Sequence, residues 1–137
     1  MVEYRNAEGY PDPTAYGALC AIERKSSRTF RPVVYICSPY AGDVETNTAA
    51  RRYSRFAVKA GCIPIAPHLL FPQFLDDKNF KERELATFFG DVIMSKCAEV
   101  WVFGNRISAG MKAEIERATL KGYRIRYFNE TCKEVRK

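Results

Sequence analysis

The chain has 137 residues, 47% hydrophobic and 28% charged, with 22 Lys and Arg against 16 Asp and Glu for a net charge of +6. This composition fits one ordinary soluble globular domain. No apolar run reaches the roughly 18 residues of a membrane span, and Met1-Val2-Glu3-Tyr4-Arg5 opens no signal-peptide stretch, so a cytoplasmic protein without membrane contact is expected.

Residues 1–32 are broken by Gly9, Pro11, Pro13 and Gly17. Thr14 is suited to cap a short helix to Arg24, with Ala15, Ala18, Leu19 and Ile22 as its apolar stripe. This segment reads as an N-terminal extension packing on the core. Tyr4, Tyr10 and Tyr16 are its packing aromatics or, alternatively, ligand contacts.

From Pro32 the pattern turns regular. Val33–Cys37 is a continuous apolar run, as in a parallel strand covered on both faces. Ser38–Asp43 is turn-rich. A helix is expected from Val44 to Ala60, with Ala49, Tyr53, Phe56, Ala57 and Ala60 inward and Gly61 as its stop. Cys62–Ala66 reads as a second strand, and Pro64 inside it points to an edge or a bulge. Pro67 to Asp77 reads as an apolar loop of the kind used for lids, subunit contacts or ligand walls.

A further helix is expected from Phe80 to Lys96, with Leu85, Phe88, Phe89 and Val92 inward. Val100–Phe103 is the next strand, Ser108 to about Lys121 the next helix, and Gly122 its stop. Tyr123–Phe128 is the last strand, and residues 129–137 read as a frayed tail. The alternation implies a three-layer α/β fold on a mostly parallel sheet of four to five strands with right-handed crossovers. The expected division is residues 1–32 as extension, 33–129 as the α/β domain and 130–137 as a basic tail.

The charge excess is local. Residues 121–137 hold six basic and two acidic groups, whereas 1–32 and 33–120 each come to +1. A short tail of this kind argues against nucleic acid as partner. Cys20, Cys37, Cys62, Cys97 and Cys132 form no CxxC pair and read as reduced thiols. With His68 the one histidine, zinc-ligand spacing is absent and no metal is expected.

In a parallel sheet the loops after the strands gather on one edge, where ligands bind. That edge collects Ser38–Asp43, Pro67 and His68, Gly104–Ser108 and the start of the helix carrying Glu114. The first loop offers Ser38, Pro39, Tyr40 and Gly42. It has one Gly, too few for a P-loop or a dinucleotide fingerprint. Tyr35, on the first strand, is a core residue whose hydroxyl needs a partner if buried. His68 is a ligand contact, a general acid or a structural histidine. Met111, Ile115 and Ala118 share a helix face, and Glu114 borders it. Glu114 is thus either a nucleophile at the rim of a buried face or an ordinary helix-surface Glu.

Taken together, Val34-Tyr35-Ile36-Cys37-Ser38-Pro39-Tyr40, Ile65-Ala66-Pro67-His68, Asp91 and Gly110-Met111-Lys112-Ala113-Glu114-Ile115 resemble the nucleoside 2-deoxyribosyltransferase-like superfamily, in particular its small bacterial and phage branch. The resemblance spans roughly residues 33–128. It implies a flavodoxin-like fold and N-glycosidic bond cleavage or transfer on a nucleoside or nucleotide through a covalent glycosyl-Glu intermediate, with no cofactor. By that resemblance Glu114 is the nucleophile, Tyr35 orients it, Asp91 handles the nucleobase, and the protein is a homo-oligomer.

One departure matters. Deoxyribosyltransferases carry an Asp shortly before the nucleophile motif, where this chain has Asn105-Arg106-Ile107-Ser108. Arg106 with Ser38 and Ser108 suits a 5′-phosphate, which favours a nucleoside 5′-monophosphate and hydrolysis. Gly110 and Met111 complete the expected binding residues. Phe71, Phe74 and Trp101 are either base-pocket walls or core. The alternative to an enzyme is a non-catalytic nucleotide-binding or sensing module on the same fold.

Overall fold

The computed structural model describes residues 30–39 and 44–136, the side chains of 44–46 excepted. The helix expected at 14–24, the rest of the 1–32 extension up to residue 29, and Tyr40, Gly42 and Asp43 lie outside the described residues. Pro32–Lys137 form a compact unit of their own. Among the described residues no helix is long and apolar enough to cross a membrane.

The elements in chain order are β1 (Val33–Cys37), α1 (Val44–Lys59), β2 (Ile63–Ile65), α2 (Pro67–Leu70), a 3-10 turn (Phe71–Gln73), α3 (Phe80–Ser95), β3 (Glu99–Phe103), α4 (Ala109–Leu120), β4 (Ile125–Phe128) and β5 (Glu134–Val135). The sheet order is β2-β1-β3-β4-β5, the flavodoxin-like order. β1 pairs in parallel with β2 and β3, β3 in parallel with β4, and β5 runs antiparallel to β4. β2 is the edge strand, the place where a proline costs no ladder bond to a further strand.

Alternation along the central strands makes two cores. Val34 and Ile36 join Trp101, Phe103 and Phe128 under Tyr53 and Ala57 of α1. Tyr35 and Cys37 join Val100 and Val102 under Met94 of α3 and Met111 and Ala118 of α4. In the first core Tyr53, Phe103 and Phe128 stack, with ring centroids 4.5 and 4.9 Å apart and planes 15° apart in each pair. α1 thus covers one face and α3 and α4 the other. The connections leaving β1 and β3 go to opposite faces and open a crevice at the carboxyl ends of those strands.

Gly61 and Gly122, at φ of 86° and 74°, take the left-handed turns that end α1 and α4. Four expectations are corrected. Residues 67–73 are not loop but α2 and the 3-10 turn, entered through Pro67 at a first-turn position where its missing N–H costs nothing. Residues 129–137 are not frayed throughout. The Asn129 side chain accepts from the Thr131 and Lys133 amides at 3.0 and 2.9 Å, and the turn delivers β5. There Glu134 takes a two-pronged bond from Arg126 at 2.7 and 3.0 Å. Ala60 is exposed, and Ala50 holds the buried position on α1.

The fourth correction concerns α3. Leu85, Phe88 and Val92 are exposed, while Gly90 and Met94 are buried. The cause is spacing: a Cβ at Gly90 would stand 3.3 Å from the Tyr35 hydroxyl, so the helix approaches the sheet through its small residues. Phe89 keeps a lateral contact with Phe71, centroids 5.6 Å apart.

Phe103 is fully buried within the aromatic stack, whereas Leu120 is 87% exposed. Phe103→Ala is expected to cost about 3–5 kcal/mol, and Leu120→Ala to stay within about 0.5 kcal/mol. Urea unfolding of both variants checks this.

Candidate functional site

α4 starts where β3 ends, and Ser108 caps it: its Oγ accepts from the Met111 amide at 3.3 Å. This start places Gly110, Ala113, Glu114 and Arg117 along a cleft of about 630 Å³, within the usual range for small-molecule sites. Tyr35 from β1, Ser38 just beyond it, Pro67, His68 and Phe71 from the segment after β2, and Arg83, Thr87 and Gly90 of α3 also line it, with Pro72, Asp76, Asp77 and Glu82 between them.

Glu114 is the centre of the electrostatics. Burial pushes its carboxyl pKa up; a hydrogen bond from the Tyr35 hydroxyl and the charge of Arg117 pull it down, and burial wins. Tyr35 feels the same pair from the other side. Burial, then the Glu114 charge, raise its phenol far above the ordinary value, so it stays a hydrogen-bond donor. The Cys37 thiol is held protonated for the same two reasons. Arg117 is one turn from Glu114 and pairs with Asp91 of α3, Nε to Oδ1 at 2.5 Å. Asp91 therefore acts on Glu114 through charge and through Arg117.

A second polar pair lines the same cleft. Ser38 is buried, 5% exposed. Its Oγ lies 2.9 Å from Nε2 of His68. Burial depresses the His68 pKa to about 4, so the imidazole is neutral at pH 7. This removes the general-acid role for His68 at neutral pH. Among the described residues no group of three or more His, Cys, Asp or Glu is arranged to hold a metal.

A family model described as a domain of unknown function, DUF7768, matches residues 32–128. The chain belongs to the DUF7768 family. The DUF7768 match contains every cleft residue and stops before β5. A comparison with curated proteins found no significant sequence match. Among solved structures, the fold is similar to a 2-deoxyribosyltransferase from the psychrotolerant bacterium Bacillus psychrosaccharolyticus, with a TM-score of 0.57 and 14% identity over 76% of this chain and 77% of that one. At that identity the likeness is one of fold.

Within the DUF7768 domain the cleft brings together Tyr35, Ser38, His68, Ser108, Gly110 and Glu114. Other candidates stand elsewhere. Arg106 is exposed and does not line the cleft. Asp91 lies behind Arg117, not on the cleft wall. Met111 is 1% exposed in the core beneath α4. Pro39 packs beside Gly104, its Cδ 3.6 Å from where a Cβ would stand. Tyr40 and Gly42 fall outside the described residues. Of the three aromatic candidates, Phe71 lines the cleft, Phe74 is 60% exposed, and Trp101 belongs to the α1-side core.

Sequence reasoning missed Arg83, Thr87, Gly90 and Arg117. Arg117 was findable, being one helical turn after Glu114. The α3 residues were hidden by the apolar stripe of Leu85, Phe88 and Val92, which pointed to the wrong face.

The lone histidine gives a direct test. Above pH 6.5 neither folded nor unfolded chain protonates it, so it adds no penalty. Below that, the unfolded chain takes up the proton and the folded one resists to about pH 4, so stability falls as pH falls. Relative to His68→Gln, the wild type is expected to lose on the order of 3 kcal/mol between pH 7 and pH 4. Imidazole NMR titration is expected to give a pKa near 4; a value near 6.5 contradicts the burial.

Proposed function

We propose that this protein cleaves the N-glycosidic bond of a nucleoside, with Glu114 as nucleophile. The observation that carries the reading is the buried Tyr35–Glu114 hydrogen bond in the cleft at the sheet's switch point. The likeness of fold to a 2-deoxyribosyltransferase supports it. Glu114 attacks the anomeric carbon, the carbon–nitrogen bond breaks with its electron pair going to the base, and the base takes a proton from water. The product is a glycosyl ester of Glu114, which an acceptor then opens, as in retaining glycosidases. Tyr35 holds the carboxylate in line and favours its charged form. Arg117, held by Asp91, does the same from the other side.

The charges along the cleft favour a nucleoside over its 5′-monophosphate. Asp76, Asp77, Glu82 and Glu114 face it against Arg83 and Arg117, and Arg117 is already paired with Asp91. A dianionic phosphate would enter an acidic site without Arg106 to receive it. Phe71 and Pro72 offer apolar surface for a base. Sites shared between protomers of a homo-oligomer, a cytoplasmic location and the absence of a cofactor are part of the same proposal.

Incubation with 2′-deoxynucleosides and their 5′-monophosphates, followed by chromatography of free base, tests the reading. Release is expected from nucleosides, reduced roughly 10³-fold or more in Glu114→Ala, as loss of a nucleophile does. Ligand binding without base release, unchanged by Glu114→Ala, would instead mark a binding module. Tyr35→Phe removes a bond that lowers the Glu114 pKa. The acidic limb of its kcat/KM profile is therefore expected to move to higher pH.

A further inference from the structure

We propose that the Ser38–His68 pair is a proton relay for the second step: Ser38 holds the attacking water and His68 receives the proton through it, so that the glycosyl-enzyme is hydrolysed. The inference rests on Glu114 being the nucleophile. β1 ends its buried apolar run in a hydroxyl that is 5% exposed, and a buried hydroxyl must be hydrogen-bonded to be tolerated. The partner is a ring nitrogen 2.9 Å away. A carbonyl would satisfy the hydroxyl as well, but cannot take a proton. Both members line the cleft that Glu114 lines, from a different wall: Glu114 from α4, Ser38 and His68 from the ends of β1 and β2.

The water oxygen bonds to the anomeric carbon, and the bond from that carbon to the Glu114 oxygen breaks, its pair returning to the carboxylate. The water proton passes to Ser38 Oγ while the Ser38 proton passes to His68 Nε2. His68, neutral beforehand and reluctant to stay charged where it is buried, then releases that proton to solvent. Ser38 touches the acceptor and is the catalytic residue of this step; His68 acts through Ser38 and is a positioning residue.

The test uses 2′-deoxynucleosides with the full chain and its Ser38→Ala and His68→Gln variants. Loss of general base assistance is expected to lower steady-state base release about 10²-fold. Intact-mass spectra are expected to show the variants carrying the sugar, because the ester outlives its formation. Azide needs no deprotonation to attack. It is expected to restore turnover in both variants with a glycosyl azide as product, and not in Glu114→Ala. Variants that turn over like wild type, or that lose activity with neither adduct nor azide rescue, overturn the relay and leave the pair a structural tie. A wild type that releases no base overturns the Glu114 reading itself, before any variant is compared. Should both variants misfold, single-turnover decay of the wild-type adduct in H2O/D2O mixtures decides. Two protons in flight give a curved dependence on deuterium fraction, and a linear one overturns the relay.

Discussion

The buried Glu114 carboxyl is the constraint that the rest of this site answers to. A carboxylate taken out of water is costly unless charge and hydrogen bonds compensate. Here compensation is partial: the Tyr35 hydroxyl and Arg117 favour the anion, Asp91 and burial oppose it, and the pKa stays raised. Partial compensation leaves desolvation the larger effect, so the carboxyl is held in the enclosed cleft at some expense to stability.

That compromise sets the packing around it. Tyr35 must stand on the central strand β1 with its hydroxyl clear of the second core, which is possible only if α3 comes close without a side chain in the way. Gly90 provides the opening. With Gly90 facing inward, Leu85, Phe88 and Val92 are turned outward, and Asp91, next in sequence, is brought to Arg117. One glycine thus links strand, helix and ion pair.

The same chain of dependence explains what was legible in the sequence. Strand positions were, because β1 and β3 are buried on both faces and so read as continuous apolar runs. Pro64 marked the edge strand, and Gly61 and Gly122 the helix ends. Glu114 beside the Met111–Ile115–Ala118 face and the need of the Tyr35 hydroxyl for a partner were also readable, since both follow from period and burial. The inward face of α3 was not. Apolar periodicity assumes that the largest side chains go inside, and there a tertiary contact demanded the smallest. Arg106 misled because residue type and proximity in sequence to the α4 start say nothing of side-chain direction. β5 was hidden because a two-residue strand carries no period; only the Asn129 turn chemistry hinted at it.

The sheet order gives the cleft two chemically unlike walls. β1 and β3 send their connections to opposite faces. The wall from α3 and α4 therefore carries the charged set, Glu114 with Arg117 and, behind it, Asp91. The wall from the ends of β1 and β2 carries a neutral pair, Ser38 and His68. Burial keeps His68 neutral at pH 7, so this wall adds no charge of its own to the cleft. The depressed histidine and the raised glutamate are thus two outcomes of one cause, desolvation, acting on groups of opposite charge type.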